Sequence, residues 1–454
     1  MRFGRKISTL LVALPALAVA ALAADARAGG SFARGPFLQS LGPAGVTVKV
    51  ELFTPEVVTV EVTGPDGAVK RAQVTEARRF QSLRIEGLSA ATAYRYRVLA
   101  GAAGEASDEG RFTTAPPDSR PFKLIVYGDS RSDPGAHAAV VRAIEEVPSD
   151  FLLHTGDMVE LGDEEDDWKS FFEVERKLLR DRCVFASVGN HELAGERGAG
   201  AAAFLRYFAS IDEGGRDRPK LYGTFRWSNT RFFLLNAMDD WTGEERSWLK
   251  EELDRALSES GLVHRFAVLH HGPFSSGPHG GNKRLHNNGV MQILKEGKVS
   301  LVVAGHDHVY ERGTGEGIKY LISGGAGAPL YPRRGKAAET AMFESVHHFV
   351  ELAIDGEKVQ LVAKRASGSV LERCHFVTDG PWNCDAAGPM APSGGPGATP
   401  PSTPAARSSA CVCTAAGASD PGSNVAAIAA ALAICGAAAR RSRRPAIAPA
   451  RKRS

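Results

Sequence analysis

The segment Leu124-Ile125-Val126-Tyr127-Gly128-Asp129 places four apolar residues before a glycine and a carboxylate. The apolar runs at 151–153, 266–269 and 301–304 also end in polar side chains, and a shorter run at 184–188 does the same. Such runs are typical of buried strands, and helical patterns lie between them, so an α/β layered fold with mixed sheets is predicted. Functional groups collect at the carboxyl ends of strands in this architecture. Polar groups from distant positions are therefore expected to meet at one sheet edge.

Five short segments at these ends carry candidate metal ligands. They are Gly128-Asp129-Ser130-Arg131, Gly156-Asp157, Gly189-Asn190-His191-Glu192, His270-His271-Gly272-Pro273 and Gly305-His306-Asp307-His308. Mixed nitrogen and oxygen ligation suits Zn, Mn or Fe better than Mg or Ca. We predict two metal ions that share Asp157. The first ion also takes Asp129 and His308, and the second takes Asn190, His271 and His306.

This ordered set resembles that of the calcineurin-like metallophosphoesterases and, within them, the purple acid phosphatases. Residues 305–312, GHDHVYER, are similar to that family's GHxHxYER. Residues 244–249 resemble its QxxWL-like helix, and residues 34–39, RGPFLQ, resemble its RGPYLQ opening. The resemblance covers roughly residues 31–378 and implies hydrolysis of phosphate esters by a metal-bound hydroxide.

The resemblance also implies roles for individual histidines. The family's fourth ligand lies two residues before a proline, which favours His271 and leaves His270 as a flanking imidazole. His191 is expected to contact the phosphate and to protonate the leaving oxygen. His279, in a glycine-rich loop, is the expected substrate contact, with a surface position as the alternative, and His286 is a weaker candidate.

Two positions depart from the family pattern. Arg131 stands where the superfamily has a histidine ligand, and Glu160 stands where purple acid phosphatases have a tyrosine ligand. Glu160 is predicted to replace the phenolate as an oxygen ligand, which gives a colourless enzyme. Arg131 is predicted to hold a phosphoryl oxygen through its guanidinium group.

Two further patterns are interpreted as structural. Glu311 and Arg312 are expected to form an ion pair behind the histidine ligands. Thr242 and Glu245 have the spacing of a capping box for the following helix.

The chain divides into five segments. Residues 1–28 have the basic, apolar and small-residue regions of a signal peptide. Residues 31–115 alternate like the strands of a β-sandwich and resemble a fibronectin-type-III domain. Residues 119–378 form the predicted catalytic domain, and 379–410 form a linker rich in Pro, Gly, Ala and Ser. Residues 411–454, with an apolar run at 425–439 and a basic cluster, resemble the myxobacterial MYXO-CTERM sorting tail.

Composition limits the partners and the redox state. The 454 residues carry a formal net charge of +3, much of it in the terminal signals, which argues against nucleic acid as a stable partner. Cys374 and Cys384 flank a short loop and are a candidate disulfide, although spacing alone does not decide the pairing. Cys183 is expected to be buried and free.

Together these features predict an exported, dinuclear-metal phosphatase that acts on phosphomonoesters. It is expected at the cell surface or outer membrane, held by its tail, or secreted. The alternatives are a phosphodiesterase of the same superfamily and a non-catalytic surface adhesion or binding protein whose phosphoesterase part has decayed.

Overall fold

The computed structural model describes residues 31–195, 198–208 and 220–385. The predicted signal peptide and sorting tail lie outside these ranges, as does most of the predicted linker. Within the described ranges, no helix is both long enough and apolar enough to cross a membrane.

Residues 32–113 form eight strands in two antiparallel sheets. One sheet has the order β1-β2-β5; in the other, β3 lies between β4 and β6, and β7 and β8 pair with β6. Strand β6 illustrates why this segment forms sheets with one buried face. Tyr94, Tyr96 and Val98 alternate with more exposed residues, so their side chains point into the core. The bounds are β1 Phe32–Gln39, β2 Gly45–Glu56, β3 Val58–Thr63, β4 Val69–Gln73, β5 Arg78–Glu86, β6 Ala93–Ala100, β7 Glu105–Ala106 and β8 Gly110–Thr113. The region is all-β as predicted, and its fibronectin-type-III identity stays a prediction.

The predicted catalytic domain begins with a seven-stranded sheet of order β11-β10-β9-β19-β20-β21-β22. Strands β9, β10 and β11 are parallel, and the remaining pairs are antiparallel. The bounds are β9 Phe122–Tyr127, β10 Phe151–His154, β11 Val184–Ala186, β19 His348–Asp355, β20 Lys358–Arg365, β21 Val370–Val377 and β22 Asn383–Cys384. A disulfide joins Cys374 to Cys384 across β21 and β22. The sheet therefore extends into the start of the predicted linker.

A second seven-stranded sheet has the order β12-β13-β14-β15-β17-β16-β18. Its central strands β13, β14, β15 and β17 are parallel. The bounds are β12 Gly223–Trp227, β13 Thr230–Leu235, β14 His264–His271, β15 Leu301–Gly305, β16 Tyr310–Gly315, β17 Ile318–Ser323 and β18 Thr340–Glu344.

The two large sheets pack face to face, with helices on the outside. Phe151 lies at the centre of this core, and its ring is 4.8–5.8 Å from those of Phe225, Trp227 and Phe232. The helices are α1 Pro134–Glu145, α2 Glu165–Asp181, α3 Asn190–Leu193, α4 Ala199–Tyr207, α5 Glu244–Ser258, α6 Lys283–Asn287 and α7 Val290–Glu296. Apolar residues of α1 and α2 cover the first sheet, and those of α5 and α7 cover the second. The predicted fold class, α/β with mixed sheets flanked by helices, is confirmed.

The N-terminal sheets contact the predicted catalytic domain through β1. Arg34 is buried, with one guanidinium nitrogen 2.7 Å from Glu51 and 2.6 Å from the Tyr207 hydroxyl, while the other contacts Glu165. The ring of Phe37 lies 4.9 Å from an aromatic ring of α2. Residues 34–39 of β1, RGPFLQ, thus join the N-terminal sheets to the helices of the following domain, and we call β1 the docking strand.

Candidate metal centre

Three predicted ligands occupy unusual backbone positions directly after strands. Asp129 follows β9, Asp157 lies just beyond β10 and His306 follows β15, with φ of +57°, +58° and +70°. Few residues other than glycine adopt this left-handed region. Such conformations persist where the surrounding structure enforces them, often at functional sites.

Four donor atoms converge at Asp157, Asn190, His270 and His306, which we call the second donor group. Nε2 of His270 lies 3.1 Å from Oδ1 of Asn190, 3.1 Å from Nδ1 of His306 and 3.3 Å from Oδ1 of Asp157. A tetrahedral zinc ion with bonds of about 2.0–2.1 Å holds its ligands about 3.3 Å apart. The spacing therefore fits one metal ion held by carboxylate, amide and imidazole groups.

The first donor group consists of Asp129, Asp157 and His308, which offer donor atoms within 4.8 Å of one another. Nε2 of His308 lies 3.6 Å from Oδ1 of Asp129. Its Nδ1 donates to the carbonyl of Pro329 at 2.6 Å, which fixes the ring and leaves Nε2 as the nitrogen that carries a lone pair. Asp157 belongs to both groups, as the predicted bridging role requires.

Arg131 lies against the first donor group. Its Nε is 3.4 Å from Oδ2 of Asp157, and its Nη2 is 3.4 Å from Nε2 of His308. Its Nη1 donates to Glu160 at 2.7 Å. Glu160 also accepts from Ser132 at 2.5 Å, its side chain is half exposed, and it belongs to neither donor group. The structure therefore places Glu160 on Arg131 and not at the position of a metal ligand.

His270, and not His271, enters the second donor group. Nδ1 of His270 contacts the carbonyl of Thr155 at 3.0 Å, which turns Nε2 towards Asp157. Nε2 of His271 instead contacts the carbonyl of Gly280 at 2.9 Å. Strand alternation explains the choice, because His270 shares the inner face of β14 with Phe266 and Val268. The prediction of His271, which rested on its position two residues before Pro273, is therefore wrong. The geometry makes His270 the candidate ligand.

The other predicted site histidines lie at different distances from the centre. His191 donates from Nδ1 to the carbonyl of Glu160 at 2.6 Å, and its Nε2 lies 3.8 Å from Oδ2 of Asp157. The His279 ring lies 4.4 Å from that of His306 and is exposed. His286 contacts Glu316 and the carbonyl of Pro273, so it supports a turn outside the donor groups.

The Asp157 loop is held from behind by Glu192. This fully buried carboxylate accepts from the backbone nitrogens of Asp157 and Gly189 at 2.8 Å each, and from that of Met158 at 2.6 Å. A Cβ on Gly189 would lie 2.1 Å from Oδ1 of Asp157. The glycine is needed because the loop and the carboxylate approach each other so closely.

Asp307 and Glu311 fix the loop that carries His279. Asp307 accepts from the Ser275 hydroxyl at 2.5 Å and from the His279 backbone nitrogen at 3.2 Å. Glu311 accepts from the Ser276 backbone nitrogen at 2.9 Å. The expected pair of Glu311 with Arg312 is wrong, because neighbouring residues of β16 point to opposite faces. Arg312 pairs with Glu372 at 2.7 Å instead.

The buried carboxylates of Asp129 and Asp157 favour a positive charge on the neighbouring His270 imidazole. Burial lowers the pKa of His270, but the carboxylates of Asp157 and Asp129 outweigh it and raise that pKa to about 9. Burial raises the pKa of Asp157, but His270 and His191 outweigh it, so that pKa is lowered. Burial lowers the pKa of His308 to about 4, with Arg131 adding to the effect. His308 is therefore neutral near pH 7, with a lone pair on Nε2.

Sequence reasoning missed His270 as a donor, the supporting carboxylates Glu192 and Asp307, and Tyr331. The Tyr331 ring stacks on that of His308 at 4.1 Å. The alternation of β14 is a sequence signal for His270. Tyr331 follows no motif, and only the long-range fold brings it to the centre.

Comparison with known sequences identifies the part of the chain that builds this centre. Residues 122–310 match the profile of the calcineurin-like phosphoesterases. The matched residues include every member of both donor groups. An uncharacterized protein of Mycobacterium tuberculosis strain H37Rv is 26% identical over 249 residues, which is 46% of this chain and 46% of that protein. Purple acid phosphatase 7 of Arabidopsis thaliana is 29% identical over 130 residues, or 28% of this chain and 39% of that protein. The chain thus spans less than half the length of these curated relatives.

Solved structures share the fold of this chain. A purple acid phosphatase, PPD1, from yellow lupin seeds has a TM-score of 0.64 at 16% identity, covering 75% of this chain and 74% of its own. A structure of PhoD has a TM-score of 0.64 at 11% identity, covering 80% of this chain and 93% of its own. At these identities the likeness concerns the fold alone. The fibronectin-type-III and MYXO-CTERM resemblances stay predictions.

Proposed function

We propose that this chain hydrolyses phosphate esters at a metal centre built around Asp157. The convergence of Asp157, Asn190, His270 and His306 at the spacing of ligands to one ion carries the proposal. A divalent ion bound there supplies two kinds of chemistry: it lowers the pKa of bound water and offsets charge on phosphoryl oxygens. The metal stays open between Fe, Zn and Mn, since all three accept this donor set.

The protein's own side chains hold the ester and move its protons. His191 is the proposed proton donor to the leaving oxygen, because the Glu160 carbonyl holds Nδ1 and leaves Nε2 beside Asp157. His279 is proposed to contact the phosphoryl group from its exposed loop. Arg131 adds a permanent positive charge beside Asp157 and His308.

Phosphomonoesters are the proposed substrate class. A monoester carries two negative charges near neutral pH, and Arg131, His191 and His279 supply cationic or hydrogen-bonding groups around the donor atoms. These groups suit an oxygen-rich anion better than an ester with a second organic substituent.

We further propose that the enzyme acts outside the cytoplasm, delivered by residues 1–28 and held at the cell surface by residues 411–454. The Cys374–Cys384 disulfide supports an oxidising compartment. Fractionation of producing cells tests the location, and recovery of the protein only in the cytoplasm contradicts it.

Purified protein, stripped of metal and reloaded with Mn, Zn or Fe, tests the activity. We expect hydrolysis of 4-nitrophenyl phosphate to exceed that of bis(4-nitrophenyl) phosphate. Asp157→Asn should abolish turnover, while Asp355→Asn, at an exposed turn, should leave it unchanged. Inactivity on both esters with all three metals contradicts the proposal. Faster diester cleavage overturns only the substrate preference.

A further inference from the structure

We propose that the Arg131 guanidinium takes the place of the first metal ion, so that the centre binds one ion tightly, in the second donor group. This inference rests on the proposed function and specifies its metal content. It concerns a departure at a single position, where an arginine stands in place of an imidazole ligand.

The first observation is that Arg131 engages the atoms that a first ion would need. Nδ1 of His308 is committed to the Pro329 carbonyl, so Nε2 carries the lone pair that would face a metal. Nη2 of Arg131 lies 3.4 Å from that nitrogen. Its Nε lies 3.4 Å from Oδ2 of Asp157, the carboxylate shared by both donor groups.

The second observation is that Arg131 is held in this position. Its side chain is only 10% exposed. Nη1 donates to Glu160 at 2.7 Å and to the Ser132 hydroxyl at 2.9 Å. Ser132 also donates to Glu160, which closes the contact from the solvent side. All three guanidinium nitrogens are thus engaged, and Glu160 serves as the anchor of Arg131.

The fixed charge of Arg131 explains why the first donor group should bind metal weakly. Arginine stays protonated in proteins, so Arg131 carries a fixed positive charge beside the first donor group. Two cations a few Å apart in a partly buried site repel strongly, which lowers the affinity of that group for a second ion. The second donor group differs, because its imidazoles can release a proton when a metal binds, whereas the guanidinium of Arg131 keeps its charge.

The two departures from the family pattern then have one explanation. An arginine at position 131 supplies the positive charge, and a glutamate at position 160 binds that arginine instead of a metal. The guanidinium offsets the negative charge of Asp129 and Asp157 and presents a cation to the phosphoryl oxygens.

Metal content tests the inference independently of turnover. Metal-free wild-type protein and variants are dialysed against Zn or Mn, and bound metal is measured by elemental analysis. We expect about one ion per chain in the wild type and in Arg131→Lys, which keeps the charge. Arg131→His removes the fixed charge and restores an imidazole, so bound metal should rise to about two. Arg120→His, at an exposed arginine, is the control and should stay at one.

Two equally tight ions in the wild type overturn the inference, as does a folded Arg131→His protein that holds no more metal than the wild type. If Arg131→His fails to fold, anomalous diffraction from metal-loaded wild-type crystals decides, because a second strong peak beside Asp129 and His308 overturns it. A wild type that binds no metal contradicts the proposed function itself, whereas two ions contradict only this inference.

Discussion

At the scale of single residues, the centre depends on buried charge that its surroundings hold in place. Asp129 and Asp157 are almost inaccessible to solvent, and each follows a strand in a left-handed backbone conformation. Two carboxylates this close and this buried require positive charge nearby. Arg131 and a protonated His270 supply it in the metal-free protein, and a metal bound in the second donor group would take the place of the His270 proton.

A buried carboxylate outside both donor groups gives a prediction about pH and stability. Glu245 accepts from the Asn236 backbone nitrogen at 2.7 Å, and its other oxygen has no hydrogen-bond partner in the described structure. Burial raises the pKa of Glu245 to about 9. The folded protein therefore binds a proton more tightly than the unfolded chain, whose glutamate titrates near its ordinary pKa of about 4.3. Stability should fall as pH rises between these two pKa values.

Glu245→Gln removes this loss, because the amide keeps an acceptor for Asn236 and carries no charge. We expect the variant to be more stable than the wild type at pH 7, on the order of 1–3 kcal/mol, with the gap closing near pH 4. Urea unfolding at both pH values measures it. Glu251→Gln, at an exposed position of the same helix, is the control. A difference that does not grow with pH contradicts the assignment.

At the scale of elements, one loop couples the second sheet to the substrate side of the centre. Glu311 of β16 accepts from the Ser276 backbone nitrogen, from the Tyr320 hydroxyl at 2.9 Å and from Thr340 at 2.7 Å. This carboxylate is fully buried and contacts no donor atom of the metal groups. It positions the His279 loop without binding metal.

Glu311→Gln should therefore loosen the loop and spare the metal. Given the proposed role of His279, we expect KM for an aryl phosphate to rise by about tenfold, with a smaller fall in kcat, because substrate positioning is lost. Steady-state kinetics and elemental analysis measure both. Glu316→Gln, at an exposed turn after β16, is the control. Loss of bound metal, or unchanged kinetics, contradicts a positioning role.

Elements were predictable where local pattern determines them. The apolar runs before Asp129, Asp157 and His306 became strands, and the helical patterns predicted between such runs became helices, among them α1, α2 and α5. Two sequence signals disagreed about His270 and His271. The distance to Pro273 favoured His271, whereas the alternation of β14 favoured His270. The expected capping box of α5 is absent because the Thr242 hydroxyl donates to Asp240 and Glu245 turns inward to Asn236.

At the scale of the whole molecule, long-range pairing joins parts that no local pattern connects. Strand β9 pairs with β19, more than 200 positions away, and the β1 docking strand reaches α2 and α4. These contacts depend on complementary surfaces that form only after both elements exist. Sequence periodicity therefore predicted the layers but not the strand order.

The docking strand gives a prediction at this scale. Arg34→Met leaves Glu51 buried without its 2.7 Å partner. Breaking one side of a buried ion pair costs about 3–5 kcal/mol, so the variant should unfold at clearly lower urea concentration. Arg34→Met combined with Glu51→Gln should recover part of the loss. The exposed pair of Arg78 with Glu76 is the control, and Arg78→Met should cost about 1 kcal/mol or less. Equal effects at both arginines contradict the docking role.

The central claim is that these strand ends bind metal through Asp157. Anomalous diffraction at the zinc or manganese edge, from metal-loaded crystals, tests it most directly. We predict a peak about 2.0–2.2 Å from Asp157, Asn190, His270 and His306, with His271 outside bonding distance. A metal bound elsewhere in the protein, or no peak at this position in saturating metal, contradicts the account.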